Sequence, residues 1–488
     1  MFCLDAKTIN KQKKCKFIFV YLFIILCFTV LLLAVKASGT SYRVELRVLG
    51  LLGWGVLIAF FCCYKCITKK FVTVASIFVL SMFAFSYGQF LLYGFGVKYE
   101  YFFDNAFYSG VYGGNDKTLV IATAYSLLCL SIFCVGILLS VRLGDRERKV
   151  IRHVVSPAVM KKFFLVLLVF SFIPTFIYNV YLAVYSLANG YSESLELVQP
   201  AIIRYLGVFF TPSVIGALVF CKKNKQLSGF IVICAVLNCC ISFVVGGRSL
   251  AIGLLIGIVI VSALDKNLSR CGAVVICLGG ILLLAVSNGI ADARASSSRS
   301  LVDAIIYNLI NRNVIVQFLG EAGFSGMASV WTVNLVNGGY ETFNGVTYLG
   351  AVLNLLPSSL DFFNLLQPFA GYVQLESWLT ELYSVDFGVG FSLIAESYLN
   401  FKWLGIVAIF FESILFGRLM SIDNESSEWR RYVSIVMLTV LFTIPRRDIV
   451  YLANQITLCI IVPYLLMFAL QVFHLGRYSR RGFVNGKF

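Results

Sequence analysis

Along this chain, polar positions come in short bursts between long apolar runs, and that spacing dominates the reading. A helix needs roughly 20 mostly apolar residues to cross a hydrocarbon core, and scanning at that length gives about twelve candidate spans. Five lead the chain, at 17–35, 48–67, 71–92, 118–141 and 163–187, each flanked by lysine, arginine or turn residues. Four follow at 201–220, 228–245, 250–264 and 271–288, with only Gly246-Gly247-Arg248-Ser249 separating the third from its predecessor. Three more lie at 393–418, 431–445 and 449–472, the middle one short and ended by Pro445-Arg446-Arg447-Asp448. The expected fold is all-α and polytopic. It comprises an N-terminal bundle over 1–288, a large extramembrane loop over 289–392, C-terminal spans over 393–472 and a basic tail over 473–488.

The loop is patterned rather than random. Val302, Ile305, Ile306, Leu309 and Ile310 recur at helical spacing, with Asn308, Asn311 and Arg312 on another face, which predicts an amphipathic helix over Leu301–Gly320. Such a helix either lies along the membrane interface and offers Arg312 to a headgroup, or packs with a solvated polar face. Gly345–Pro357 is apolar but too short to span before its proline, which suits a re-entrant or surface helix. From 290 to 389 the loop holds eight carboxylates, so its three arginines, Arg294, Arg299 and Arg312, stand out against a net negative background.

Composition agrees with the spans. Hydrophobic residues make up 59% and charged ones 13%, with a mean hydropathy of +0.88, far from the balance of a soluble domain. The net charge of +16 is explained by orientation. Lys7 to Lys16, Arg142 to Lys162, Lys222, Lys223, Lys225 and the tail from Arg477 fall on one side, which the positive-inside rule makes cytoplasmic, with both termini there. Nucleic acid is excluded as a partner, because these basic groups are scattered with no soluble domain to organise them. The fifteen cysteines fall in spans or on the inner side, so no oxidised outer staple is expected. Cys62, Cys63 and Cys66 read as small apolar filler, not as a metal site, since no second ligand pair accompanies them. The first apolar run is longer than a signal-peptide core and reads as a retained span.

The stretch Gly388-Val-Gly-Phe-Ser-Leu-Ile-Ala-Glu396-Ser-Tyr-Leu-Asn400-Phe401, together with Gly345–Pro357, resembles the bacterial O-antigen polymerases of the Wzy type. The layout agrees: many spans and a large late loop. One departure is that Lys402-Trp403 intervene before Gly405, where relatives often place a glycine directly after the Asn-Phe pair. The resemblance implies a membrane glycosyltransferase, similar in architecture to GT-C-type enzymes. It would join undecaprenyl-pyrophosphate-linked oligosaccharide repeats at the periplasmic face of the bacterial inner membrane. Inner-membrane lipids and a chain-length regulator are its implied further partners, and no cofactor is implied.

Breaking a sugar–pyrophosphate bond requires positive groups on the leaving phosphates, and the planar guanidinium fork suits that work. Arg248 and Arg446 are the catalytic candidates of this type, and Arg294, Arg299, Arg312 and Arg447 are candidates for holding pyrophosphate or glycan. Arg248 sits in a two-glycine turn between apolar segments, where charge is costly unless it faces a polar cavity; the plain alternative is an ordinary turn arginine. One of Arg446 and Arg447 is expected to pair structurally with Asp448. The attacking sugar hydroxyl must lose a proton, and Glu396, at a span end, is the favoured carboxylate. A buried partner for an arginine is its equally weighted alternative role, and Asp292, Glu376, Glu381 and Asp386 are lesser candidates. Trp331, Tyr340, Tyr348, Tyr372 and Trp378 are candidates to stack on sugars. No metal ligands and no nucleotide-binding loop are apparent.

Two neighbouring functions remain as alternatives. A flippase for the same lipid-linked unit would share the span number but place its cations in a central cavity, with short loops. An O-antigen ligase typically uses a periplasmic histidine, whereas His153 and His474 both map to the cytoplasmic side.

Overall fold

The computed structural model describes residues 6–97, 116–141, 155–189, 199–246, 248–263, 313–355, 374–384, 390–422 and 427–484, with isolated positions between 193 and 311. Every regular element among them is helical. In chain order these are α1 (Ala6–Ala37), α2 (Tyr42–Thr68), α3 (Val74–Gly94), α4 (Asp116–Ser140), α5 (Pro157–Asn189) and α6 (Ala201–Val208). Then come α7 (Phe210–Cys221), α8 (Lys225–Val245), α9 (Arg248–Ala263), α10 (Val314–Gly323), α11 (Gly326–Asn337) and α12 (Val346–Leu353). The series ends with α13 (Leu375–Leu382), α14 (Leu393–Phe401), α15 (Gly405–Met420), α16 (Glu428–Leu441), α17 (Ile449–Ile456) and α18 (Val462–Val484). Nine stretches among the described residues are long and apolar enough to cross a membrane, and Leu250–Ala263 is a shorter apolar helix.

Several boundaries differ from the sequence expectation for local reasons. The 250–264 segment is separate, because Gly246 closes α8 at φ 104° with its N–H on the Ser242 and Phe243 carbonyls. The predicted span over 431–445 stops early. Its helix, α16, covers 14 residues to Leu441, after which the chain turns into a 3₁₀ segment, Ile444–Arg446, carrying Pro445. The expected helix over 301–320 restarts at Val314, since Asn313 caps α10 by accepting from the N–H groups of Ile315 and Val316. The predicted 393–418 span is two helices, α14 and α15, joined by the 3₁₀ turn Lys402–Leu404 with Lys402 at φ 50°. That turn folds the chain back on itself. A Cβ on Gly405 would lie 2.3 Å from the Ser397 carbonyl and 2.4 Å from the Tyr125 hydroxyl, so only glycine fits there. Most of the 271–288 span, and the long loop's Asp292, Arg294, Arg299, Arg312, Tyr372 and Asp386, lie outside the described residues.

Contacts group the chain into two units. The first comprises residues up to 145, 311–424 and 442–453. At its centre α3 is apolar around nearly its whole circumference and buried along nearly its whole length. With so little polarity to discriminate faces, close approach decides which helices it meets. Gly88 on α3 faces Gly323 on α10, and a Cβ on either would come within 2.4 Å of the other helix's backbone. Gln89 Nε2 adds a bond to the Gly320 carbonyl at 2.7 Å. Helix α15 lies along α4, with Ser140 Oγ bonded to the Ile414 carbonyl at 3.2 Å and Phe416 against Phe78 and Phe133.

The second unit comprises residues 146–310, 425–441 and 454 onward. Phe164 on α5 stacks on Phe220 of α7 and meets Tyr432 of α16, whose hydroxyl donates to the Cys459 carbonyl at 2.6 Å. Polar pairs tie α5 to its neighbours: the Ser171 and Ser213 hydroxyls bond at 3.0 Å, and Asn179 Nδ2 donates to Asn238 Oδ1 at 3.1 Å. Such pairs suit apolar helices that lack a hydrophobic drive to associate in lipid. Arg248 opens α9 in this unit; its side chain lies outside the description.

Candidate functional site

Two sequence motifs flagged for chemistry meet in the first unit. The turn at Pro445–Asp448 ends with Asp448, whose Oδ1 accepts from the Tyr451 N–H at 3.0 Å and so caps α17. Glu396, on α14, reaches the same helix end: its Oε2 accepts from the Ile449 N–H at 2.7 Å. The two carboxylates therefore share one helix N-terminus, where backbone donors and the helix dipole favour negative charge. Upstream of α14, the Phe391 N–H donates to the Arg446 carbonyl at 3.0 Å. The border between loop and helix is thus fixed to the arginine turn by backbone as well as by Glu396.

The loop helix α13 is fastened to the same turn. Its first N–H, on Leu375, donates to Asp448 Oδ2 at 3.4 Å, so one aspartate receives donors from two helix starts. Glu376, the next residue, forms an ion pair with Arg447. The Arg447 guanidinium also lies over the Tyr451 ring, 5.7 Å from its centroid. Arg446 is half-buried and Arg447 exposed, whereas Asp448 is only 9% exposed. Burial pushes the Asp448 carboxyl up from the ordinary aspartate range, while the Tyr451 and Leu375 N–H groups and the Arg447 charge oppose that rise.

Glu396 itself is fully buried. Its Oε1 has no hydrogen-bond partner among the described residues, and the Thr347 hydroxyl lies alongside. That threonine belongs to the second motif. Asn400 binds it through Nδ2 at 2.9 Å, accepts from the Gly345 N–H through Oδ1 at 2.9 Å, and donates to the Glu396 carbonyl. Asn400 is therefore the clamp that joins Gly345–Leu353 to α14. The sequence singled out both segments; the hydrogen bonds between them are the structural reason they occur together.

Tyr348 takes a different place from the one expected. Its hydroxyl donates to Glu412 Oε1 at 2.9 Å and its ring packs on Phe401, so the face expected for a sugar is partly covered. Burial holds this phenol well above the ordinary tyrosine range, with the Glu412 and Glu396 carboxylates adding to the rise. Glu412 is the buried acid that sequence reading passed over. Its signal was visible, since it is the lone carboxylate within the apolar run of α15, and an ionisable residue in such a run marks a polar contact. Trp331 is also buried, its carbonyl accepting from the Tyr383 hydroxyl. Tyr340 and Trp378 remain half-buried, 5.9 Å apart, and with Phe343 form the more open aromatic group of the loop. Glu381 is exposed near the end of α13.

The structure thus brings together Glu396, Arg446, Arg447 and Asp448, with Glu376 added. The pairing expected within Arg446-Arg447-Asp448 takes another form: Arg447 pairs with Glu376, and Asp448 caps helices. The cluster carries two arginines on a turn that four backbone N–H groups hold in place, those of Phe391, Ile449, Tyr451 and Leu375. Such an arrangement binds oxyanions with little reorganisation.

A family model described as O-antigen polysaccharide polymerase Wzy matches residues 15–477, nearly the whole chain. No curated protein and no solved structure matches it.

Proposed function

Because the chain belongs to the O-antigen polysaccharide polymerase Wzy family, we propose that it transfers a growing glycan from undecaprenyl pyrophosphate to the terminal sugar of another lipid-linked repeat, at the periplasmic face of the inner membrane. Polymerase activity of glycosyltransferase type and a lipid-linked oligosaccharide substrate come with the family. The carrier, the membrane face and the residue roles are this proposal's own. Its carrying observation is the locked turn, which carries Arg446 and Arg447 directly before the helix end that Asp448 caps and Glu396 holds through the Ile449 N–H.

In this reading the acceptor hydroxyl attacks the anomeric carbon of the donor sugar. The carbon–oxygen bond to pyrophosphate breaks, its electron pair stays on the phosphate oxygen, and the hydroxyl proton passes to a base. Arg446 and Arg447 stabilise the charge that develops on the leaving group. Guanidinium donors fixed in advance act without reorganisation at the moment of reaction. Glu396 acts by position. Buried and bonded to Ile449, it holds the arginine turn against α14 rather than touching substrate. Arg248, Arg294, Arg299 and Arg312 are proposed as further phosphate or glycan contacts, and Tyr340 and Trp378 as a surface for sugar faces.

The phenotype of a strain lacking this protein separates the readings. Complementation with Arg446→Ala or Arg447→Ala is expected to leave a single repeat on an otherwise intact lipid A core, with polymer reduced about a hundredfold, the usual cost of one oxyanion donor. Loss of all outer glycan in the strain itself would instead identify a flippase. Full-length ladders from both variants would remove the arginine turn from the site.

A further inference from the structure

Tyr340, Phe343 and Trp378 form a half-buried aromatic group on the loop, with ring centroids 5.9 Å apart for Tyr340 and Trp378 and 5.5 Å apart for Phe343 and Trp378. The group adjoins the arginine turn through Phe391. Trp378 meets the Phe391 ring at 6.3 Å between centroids, and the Phe391 N–H donates to the Arg446 carbonyl. The charge around the rings is of one sign. From Asn313 to Phe401 the sequence has seven carboxylates and no lysine, arginine or histidine. Two of those acids border the aromatic group: Glu341 directly follows Tyr340, and Glu381 comes three residues after Trp378 on α13, the spacing of neighbours on a helix surface. Both are exposed, and neither has an ion pair among the described residues, whereas Glu376 is matched by Arg447.

We infer that this aromatic surface receives an uncharged sugar of the repeat unit. The inference rests on the reading that Tyr340 and Trp378 are a surface for sugar faces, and it adds the class of sugar. A neutral sugar presents its C–H groups to a ring and its hydroxyls to the rim, so it needs no countercharge. An acidic sugar at the same place meets Glu341 and Glu381 with no basic residue of the 313–401 stretch to offset them. The rings act in the same direction, because the face of an aromatic quadrupole is negative and favours cations over anions. Uncharged hydrogen-bonding groups are present on the same loop. Asn337 and Asn344 are exposed, and each commits its Oδ1 to a hydroxyl, of Tyr398 and Thr342 respectively, which leaves the amide nitrogen to donate to a sugar oxygen.

The probe is the native repeat itself, released by mild acid from the lipid-linked pool of a strain lacking this protein. Its binding to the purified full chain in lipid nanodiscs is measured by saturation-transfer NMR, which also shows which sugar touches the protein. Trp378→Ala and Tyr340→Ala, each at the parent's melting temperature, are expected to weaken binding about tenfold. The contacted sugar should carry no acidic group. A Glu341→Lys, Glu381→Lys double variant should bind the repeat within about twofold of the parent, and salt between about 0.05 and 0.5 M should change the affinity as little. An acidic sugar on the rings would instead bind this double variant about tenfold more tightly at low salt, with the gain lost as salt rises. That result, or saturation transfer to an acidic sugar that either ring variant removes, overturns the inference and leaves the sugar surface standing. Absent binding, or binding that survives both ring variants, overturns the sugar surface itself.

Discussion

Glu396→Ala is expected to lower polymer formation at least about a hundredfold, while Glu396→Gln stays within about tenfold of the unsubstituted protein. Alanine leaves the buried Ile449 N–H without its acceptor, a loss of about 1–3 kcal/mol. The same change removes one of the two ties between the arginine turn and the α14 border, leaving only the Phe391 N–H on the Arg446 carbonyl, and small displacements of positioned groups cost large factors in rate. Glutamine keeps an oxygen for the Ile449 N–H and an amide beside the Thr347 hydroxyl, so the turn stays in register. Ladder density from purified variants, read beside their melting temperatures, checks this. If Glu396 were the proton acceptor, the glutamine variant would be as inactive as alanine, since an amide does not take up the acceptor's proton. Equal inactivity of two folded variants would therefore replace the positioning role by a chemical one.

The second large effect concerns assembly. Gly323→Leu should leave little folded protein in the membrane, and Gly323→Ala should lower the apparent melting temperature by about 10 °C. A Cβ there meets the Gln89 backbone nitrogen at 2.4 Å, and backbone within a packed helix yields poorly. Gly229→Ala is the control. Nothing lies within 4 Å of a Cβ at that position, so alanine should leave stability unchanged or raise it slightly through its better helix propensity. Fluorescence-detected size exclusion with thermal challenge reads both. A Gly323→Ala variant as stable as the parent would show that the α3–α10 crossing is loose.

How legible the chain was differs by element. The spans were clear because their signal is compositional: Val74–Gly94 or Asp116–Ser140 announces itself by length and apolarity alone. The break inside 393–418 did leave a signal, since Glu396, Asn400 and Lys402 interrupt the apolar run, but the turn itself is made by the left-handed Lys402 followed by a glycine that fits against Ser397. The motif residues were marked in the sequence without their partners. Glu396 stood out as an acid at a span end, yet nothing in its neighbours in sequence points to Ile449, 53 positions away. Asn400 likewise reads as an ordinary polar residue until Gly345 and Thr347 come within its reach. Tyr348 was read as a sugar platform from its residue type; its hydroxyl is instead committed to Glu412, a contact between elements that no local pattern encodes. In a chain this apolar, the long-range polar contacts define the site and the sequence shows only their ends.

The central claim is that the turn bearing Arg446 and Arg447 stabilises the departing pyrophosphate during polymerisation. It is tested most directly with the purified full chain in nanodiscs, supplied with undecaprenyl-pyrophosphate-linked repeat units as donor and acceptor. The unsubstituted protein should build a ladder of repeats and release undecaprenyl pyrophosphate. An Arg446→Ala, Arg447→Ala double variant with an unchanged melting temperature should give single repeats only; a full ladder from that variant would contradict the account.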